Sequence, residues 1–234
     1  MKKILRYIRY WFFIGTNWNF TLAFFTIFHE IRGEKKYHVD TIELHRLKNV
    51  AVKGPNILHA SIYQACNYYV LEKGFNYLSG MPMKEKNNFI DFGCGKGRVL
   101  AVAARYGFKN ITGIDFAPAL CALAERNMSQ IKSLYPGTDF HVICQDVTEY
   151  KIPPDQTVFF FFNPFDQMIM LAVVKNILAS LKENERRIYV MYANPLFKEV
   201  FLSAGFIEEY HFKKLTYQEM SILTNEIIET NSNE

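Results

Sequence analysis

The sequence predicts an α/β fold: a doubly wound sheet of about seven strands with an antiparallel last strand, preceded by an N-terminal helical extension. Three observations predict it. Asn88 to Asp115 reads as a strand, a glycine turn, a helix and a second strand that ends on an acid. Short apolar runs then alternate with stretches of helical spacing, as in parallel strands joined by crossover helices. The last two runs, Phe206–Phe212 and Tyr217–Leu223, are joined by a connection too short for a crossover, which suits an antiparallel hairpin. With 234 residues, half of them hydrophobic, the chain can bury one sizeable core. The expected division is an N-terminal helical extension and arm over residues 1–55 and a sheet domain over residues 56–234.

In the extension, Ile4, Leu5, Ile8, Trp11 and Phe12 fall at helical spacing opposite Lys2, Arg6 and Arg9, the pattern of a basic amphipathic helix. Gly15-Thr16-Asn17 offers a break and a cap, and a second apolar segment runs from Phe20 to Phe28. A membrane span needs about 20 mostly apolar residues, and Gly15, Thr16, Asn17, Asn19 and Thr21 interrupt this stretch. No small-residue cleavage site follows, which disfavours a signal peptide. Residues 1–32 are expected to pack on the domain as a helical hairpin, and peripheral membrane contact is the competing reading. Tyr37–Val52 reads as an arm, Gly54-Pro55 as a boundary, and Ile57–Leu78 as a helix leading into the sheet.

Phe89, Ile90 and Phe92 form the first strand, which stops at Gly93, Gly95 and Gly97. Glycines suit such a turn because they accept positive φ and let a ligand approach the backbone. Val99, Leu100, Val102 and Ala103 recur at helical spacing, and Ile111–Ile114 forms the next strand. Asp115 lies twenty residues beyond Gly95, about where an acid reaches ribose hydroxyls in nucleotide-binding α/β folds. A dinucleotide fingerprint would need a third glycine where Arg98 stands, which disfavours NAD. A phosphate-binding Walker loop would need Ser or Thr after Gly95-Lys96, where Gly97 stands.

Ala117–Met128 reads as a helix with Pro118 in its first turn, where a missing N–H costs little. Phe140–Cys144 reads as a third strand, and Val158–Phe162 as a fourth. The uninterrupted phenylalanines of the fourth imply a strand covered on both faces. Met168–Leu181 is a helix, Arg187–Tyr192 a strand, and Phe197–Leu202 a short helix stopped by Gly205.

The run Asp91-Phe92-Gly93-Cys94-Gly95-Lys96-Gly97, with Asp115 at the next strand end, resembles the first motif of the class I S-adenosylmethionine-dependent methyltransferase family. That resemblance extends from about Phe89 to the C-terminus. It implies a Rossmann-like sheet, S-adenosylmethionine as cofactor, and methyl transfer to an acceptor. By the same resemblance, Asp91, Gly93, Cys94, Gly95, Gly97, Asp115 and Phe116 are cofactor-binding candidates, with Asp146 and Val147 beside the adenine. Tyr63 and Gln64 are candidates to close over the methionine end. Asn163-Pro164-Phe165, after the fourth strand, resembles the Asn-Pro-Pro-Tyr/Phe signature of amino-group methyltransferases with one proline missing. It makes Asn163, Pro164 and Phe165 the catalytic candidates, Asn163 also facing the cofactor, and it favours nitrogen slightly over oxygen as the acceptor atom. A hydroxyl acceptor would want a base, for which Asp166, His59 and His211 are available. A cofactor-binding module without turnover and another nucleotide-dependent α/β enzyme are the alternatives.

A net charge of +4 lacks the concentrated basic stripe of a nucleic-acid binder, so a small-molecule or protein acceptor is favoured. Cys66, Cys94, Cys121 and Cys144 show no metal-type spacing and read as reduced thiols of a cytoplasmic protein, so no metal is expected.

Overall fold

The computed structural model describes residues 2–42, 64–80, 87–216 and 218–225. Seven strands form one sheet: β1 (Asn88–Phe92), β2 (Asn110–Asp115), β3 (Asp139–Cys144), β4 (Val158–Phe161), β5 (Tyr189–Ala193), β6 (Phe206–Lys213) and β7 (Glu219–Asn225). Their order is β3-β2-β1-β4-β5-β7-β6. The first five strands run parallel, and β7 pairs antiparallel with both β5 and β6. The chain therefore starts mid-sheet, winds outward to β3, and returns to β4 on the other side of β1. The crevice at the carboxyl ends of β1 and β4 is the reversal point where such sheets bind ligands.

The period of two in the strands divides the core between two faces. Phe89 and Phe160 face α3 (Tyr68–Leu78), α4 (Arg98–Arg105) and α5 (Pro118–Ile131). Ile90, Phe92, Phe159 and Phe161 face α6 (Gln167–Glu183) and α7 (Lys198–Leu202). All six side chains are at most 1% exposed, so the central strands are covered on both faces as the unbroken apolar runs required. Full burial of such side chains contributes about 1.5–3 kcal/mol each.

The extension forms two antiparallel helices, α1 (Lys2–Asn17) and α2 (Phe20–Tyr37). Gly15-Thr16-Asn17 is not the break: α1 continues to Asn17, and the cap of α2 is Asn19, whose side chain accepts from Leu22 N at 2.8 Å. Gly15 instead leaves room for the Phe20 ring, which a Cβ would meet at 2.4 Å. Asn17 donates to Phe13 O at 2.8 Å, so the polar residues of this stretch are satisfied within the hairpin. Packing on the domain is extensive on the inner side: Gly33 lies flat on the Tyr68 ring, and Tyr37 stacks on Tyr68 at 5.4 Å. Helix α3 begins only at Tyr68, capped by Asn67, whose side chain accepts from Tyr69 N. The earlier part of the helix expected from Ile57, the Gly54-Pro55 boundary, His59 and Tyr63 all lie outside the described residues. Among the described residues, no helix is long and apolar enough to cross a membrane.

Candidate active site

The turn between β1 and α4 takes its shape from three glycines in the left-handed region, Gly93 (φ 83), Gly95 (φ 54) and Gly97 (φ 78). Four of its backbone donors are consumed internally. Gly93 N and Cys94 N both donate to Ile114 O, Gly95 N donates to Asp115 Oδ2 at 2.9 Å, and Gly97 N donates to Cys94 O. A phosphate loop does the reverse, pointing such N–H groups at its anion. Beneath the turn, Cys94 fits because β2 carries Gly113, where a Cβ would stand 2.8 Å from the Cys94 Cβ. Burial pushes the Cys94 thiol well above its ordinary range, which keeps it protonated and inert.

Two buried acids flank the turn. Asp115, at the end of β2, accepts from Gly95 N through one oxygen and from Ala117 N through the other, both at 2.9 Å. Burial nevertheless raises its pKa, against the opposing pull of those backbone bonds. Asp91, in β1, is 2% exposed, and among the described residues its Oδ2 has no hydrogen-bond partner. Burial, and then the charge of Asp115, hold its carboxyl well above the ordinary carboxylate range. An orphaned buried carboxylate oxygen calls for a cation or an N–H donor.

On the far side of the turn stands Arg98, the residue that takes the place of a dinucleotide glycine. It is 3% exposed and forks onto Glu30 of α2, with N···O distances of 2.8 and 2.6 Å. It also donates to Thr41 Oγ1 and Cys66 O at 2.8 Å, and its guanidinium lies 4.2 Å from the Tyr68 ring centre. The N-terminal hairpin is thereby bolted to the helix that opens the ligand turn. Nothing in the local sequence pointed to this, because the partners are 68 residues apart.

The β4 end meets the turn directly. Pro164 packs over Gly93, where a Cβ would stand 2.5 Å from Pro164 Cβ. Asn163 holds φ 40, a left-handed conformation costly for a non-glycine residue before proline. Asn194-Pro195, at the end of the neighbouring strand β5, repeats the arrangement with φ 48 at Asn194. The duplicated Asn-Pro at adjacent strand ends was the sequence signal for Asn194, which motif reading passed over. The Asn163 Oδ1 lies 3.5 Å from Leu196 N, a long contact that leaves the amide acceptor largely available.

The remaining candidates fall in different places. Phe116 follows Asp115 and is half-buried. Asp146 and the buried Val147 follow β3, and Asp146 Oδ1 accepts from Thr148 N and Oγ1 at 2.9 and 2.7 Å, capping a short 3-10 turn. Phe165 is 8% exposed and edge-on to Phe161, so its ring belongs to the core and offers little face to an acceptor. Gln64 is exposed and hydrogen-bonds the Tyr10 hydroxyl of α1. Asp166 caps α6 by accepting from Met168 N and Ile169 N, and His211 pairs with Glu219 at 3.0 Å on β6.

Comparison with known proteins agrees with this geometry. Residues 89–184 match the family model described as a methyltransferase domain. Among solved structures, a candidate RNA methyltransferase from Pyrococcus horikoshii is 16% identical, covering 85% of this chain and 98% of its own, with a TM-score of 0.53. An S-adenosylmethionine-dependent methyltransferase from Leishmania major is 13% identical, covering 65% and 70%, with a TM-score of 0.50. Comparison with curated proteins found no match. At such identities the solved structures speak to the fold, and the family model speaks to residues 89–184. Residues 89–184 match a methyltransferase domain, and the seven-stranded sheet they help to build is the Rossmann-like methyltransferase fold.

Proposed function

We propose that the chain transfers the methyl group of S-adenosylmethionine to an acceptor presented at the end of β4, with nitrogen favoured over oxygen and a small molecule or a protein favoured as its carrier. The observation that carries this reading is the polarity of the turn. The N–H groups of Gly93, Cys94, Gly95 and Gly97 are spent internally, while two buried acids stand beside them. Such a site repels phosphate and suits a cation. S-adenosylmethionine, when bound, supplies an electrophilic methyl carbon on a positively charged sulfur. Asp91 would accept from its ammonium group through Oδ2, Asp115 would accept from ribose hydroxyls, and Asp146 with Val147 and Phe116 would border the adenine.

The chain's own work is alignment and exclusion of water, since in-line displacement at a sulfonium needs no covalent intermediate. Asn163 would orient an acceptor N–H through its amide oxygen as positive charge develops, and Pro164 would fix its height above Gly93. With Phe165 in the core, the recognition of the acceptor falls to Asn163, Pro164 and the strand ends around them.

Incubation with methyl-labelled S-adenosylmethionine and a fractionated lysate tests this reading. Label should enter a small-molecule or protein fraction, and Asn163→Ala should lower turnover by about 10²-fold, the scale of a misaligned reactant, with cofactor affinity nearly unchanged. Binding without any label transfer would favour the module without turnover. Label in RNA would overturn the acceptor class, and joint loss of binding and transfer in Asn163→Ala would make that residue a cofactor ligand.

A further inference from the structure

The inner side of the α1–α2 hairpin is bolted to the domain, but its outer side is apolar and open. Ile4, Leu5, Ile8, Phe12, Phe13, Trp18, Phe20, Phe24, Phe28 and Ile31 are all exposed, Phe24 and Phe28 by 65% and 64%. Ten large apolar side chains on one surface far exceed the scattered exposure of a free-standing domain.

The distribution of charge says what covers them. No charged residue occurs from Tyr10 to Phe28, so the turn end of the hairpin is uncharged and aromatic. The basic residues gather at the opposite end, where Lys3 and Arg9 of α1 and Arg32 and Lys35 of α2 are exposed. The hairpin's two carboxylates, Glu30 and Glu34, are turned inward, at 1% and 3% exposure. Glu34 is consumed by Tyr7, by the Thr41 and Ile42 N–H groups, and by Lys3 Nζ at 2.9 Å. The outer surface thus offers an apolar aromatic tip behind a basic collar. Self-pairing with the two hairpins side by side in the same direction would bring two such collars together, which like-charge repulsion opposes.

We infer that the α1–α2 hairpin docks the enzyme on an anionic lipid surface, its aromatic tip entering the headgroup boundary and its basic collar meeting the lipid charge. Docking there orients the enzyme. Strand β6 runs parallel to β5, so the β6–β7 turn lies at the carboxyl edge of the sheet. Leu215 of that turn packs, as Tyr10 and Trp11 do, against the buried cluster of Ile14, Leu22 and Ala23 in the hairpin, and Lys214 sits over the Phe25 ring at 5.4 Å. The hairpin therefore rides on the edge where the cofactor crevice opens, and the mouth of the active site would lie beside the bilayer.

The test is flotation of the full chain with phosphatidylcholine vesicles, with and without phosphatidylglycerol. The chain should float with the anionic vesicles, be released by high salt, and stay behind with neutral ones. Because both rings face outward, Phe24→Ser with Phe28→Ser should keep the melting temperature while weakening flotation. Arg9→Glu with Lys35→Glu should weaken it by about tenfold or more, given roughly fivefold per basic residue near such a surface. Absence of flotation overturns the inference, as does flotation that both double variants leave unchanged. So does a concentration-dependent dimer that Phe24→Ser with Phe28→Ser dissolves while vesicles are ignored.

Discussion

Two buried charged sites stand on either side of the glycine turn, and they are built in opposite ways. Arg98 and Glu30 face each other as a forked pair, and the guanidinium finds Thr41, Cys66 O and the Tyr68 ring besides. Asp91 and Asp115 are two like charges in the same crevice, one of them with an oxygen that no described residue satisfies. A satisfied buried pair holds architecture, whereas an unsatisfied one is a cost that folding alone does not justify. The difference separates the part of the turn that fastens the hairpin from the part that waits for a ligand.

Breaking the satisfied pair should have the largest effect. Arg98→Ala leaves the Glu30 carboxylate buried and alone, so thermal unfolding should show a loss of about 3–5 kcal/mol. A loss below about 1 kcal/mol would mean that the hairpin does not depend on this anchor. No such loss is expected on the other side. Asp91→Asn keeps the shape and removes the ionisable group, so stability at neutral pH should be equal or higher while S-adenosylmethionine binding weakens, a trade of stability against function. Destabilisation by Asp91→Asn would show that the carboxylate is structural.

The smallest effect is in pH. A carboxyl whose folded pKa lies above its unfolded value binds more protons when folded, so stability rises as pH falls from neutrality towards the unfolded value of 3.8. Glu34 and Glu72 work the other way, because hydrogen bonds and nearby cations lower their pKa values despite the upward push of burial. The informative quantity is therefore the difference between wild type and Asp91→Asn. Wild type should gain on the variant as pH is lowered, and parallel curves would remove Asp91's burial from the explanation.

What could be read from the sequence was local. The glycine turn, the acid twenty residues on, the buried phenylalanine strand and the antiparallel ending are patterns within short windows, and the strands appear within a residue or two of expectation. What could not be read was long-range. Arg98 signalled only that a dinucleotide was wrong, because its partner Glu30 lies in a helix whose burial depends on Tyr68 and Gly33 meeting. Phe165 looked like a wall for an acceptor because sequence does not say which side of a strand end faces solvent, and it packs instead against Phe161. The hairpin was legible as amphipathic, but which apolar side chains turn inward followed only from the fold: Ile14, Leu22 and Ala23 are covered, and Phe24 and Phe28 are not.

The most direct test of the cofactor crevice is calorimetric titration of the full chain and of Asp115→Ala with S-adenosylmethionine, and of the full chain with NAD. S-adenosylmethionine should bind at a single site. The variant should lose about 1.5–3 kcal/mol, the scale of hydrogen bonds to a charged group, or roughly ten- to a hundredfold in Kd, and NAD should give no saturable heat. No binding of S-adenosylmethionine, equal affinity in the variant, or tighter binding of NAD would contradict the assignment of this crevice.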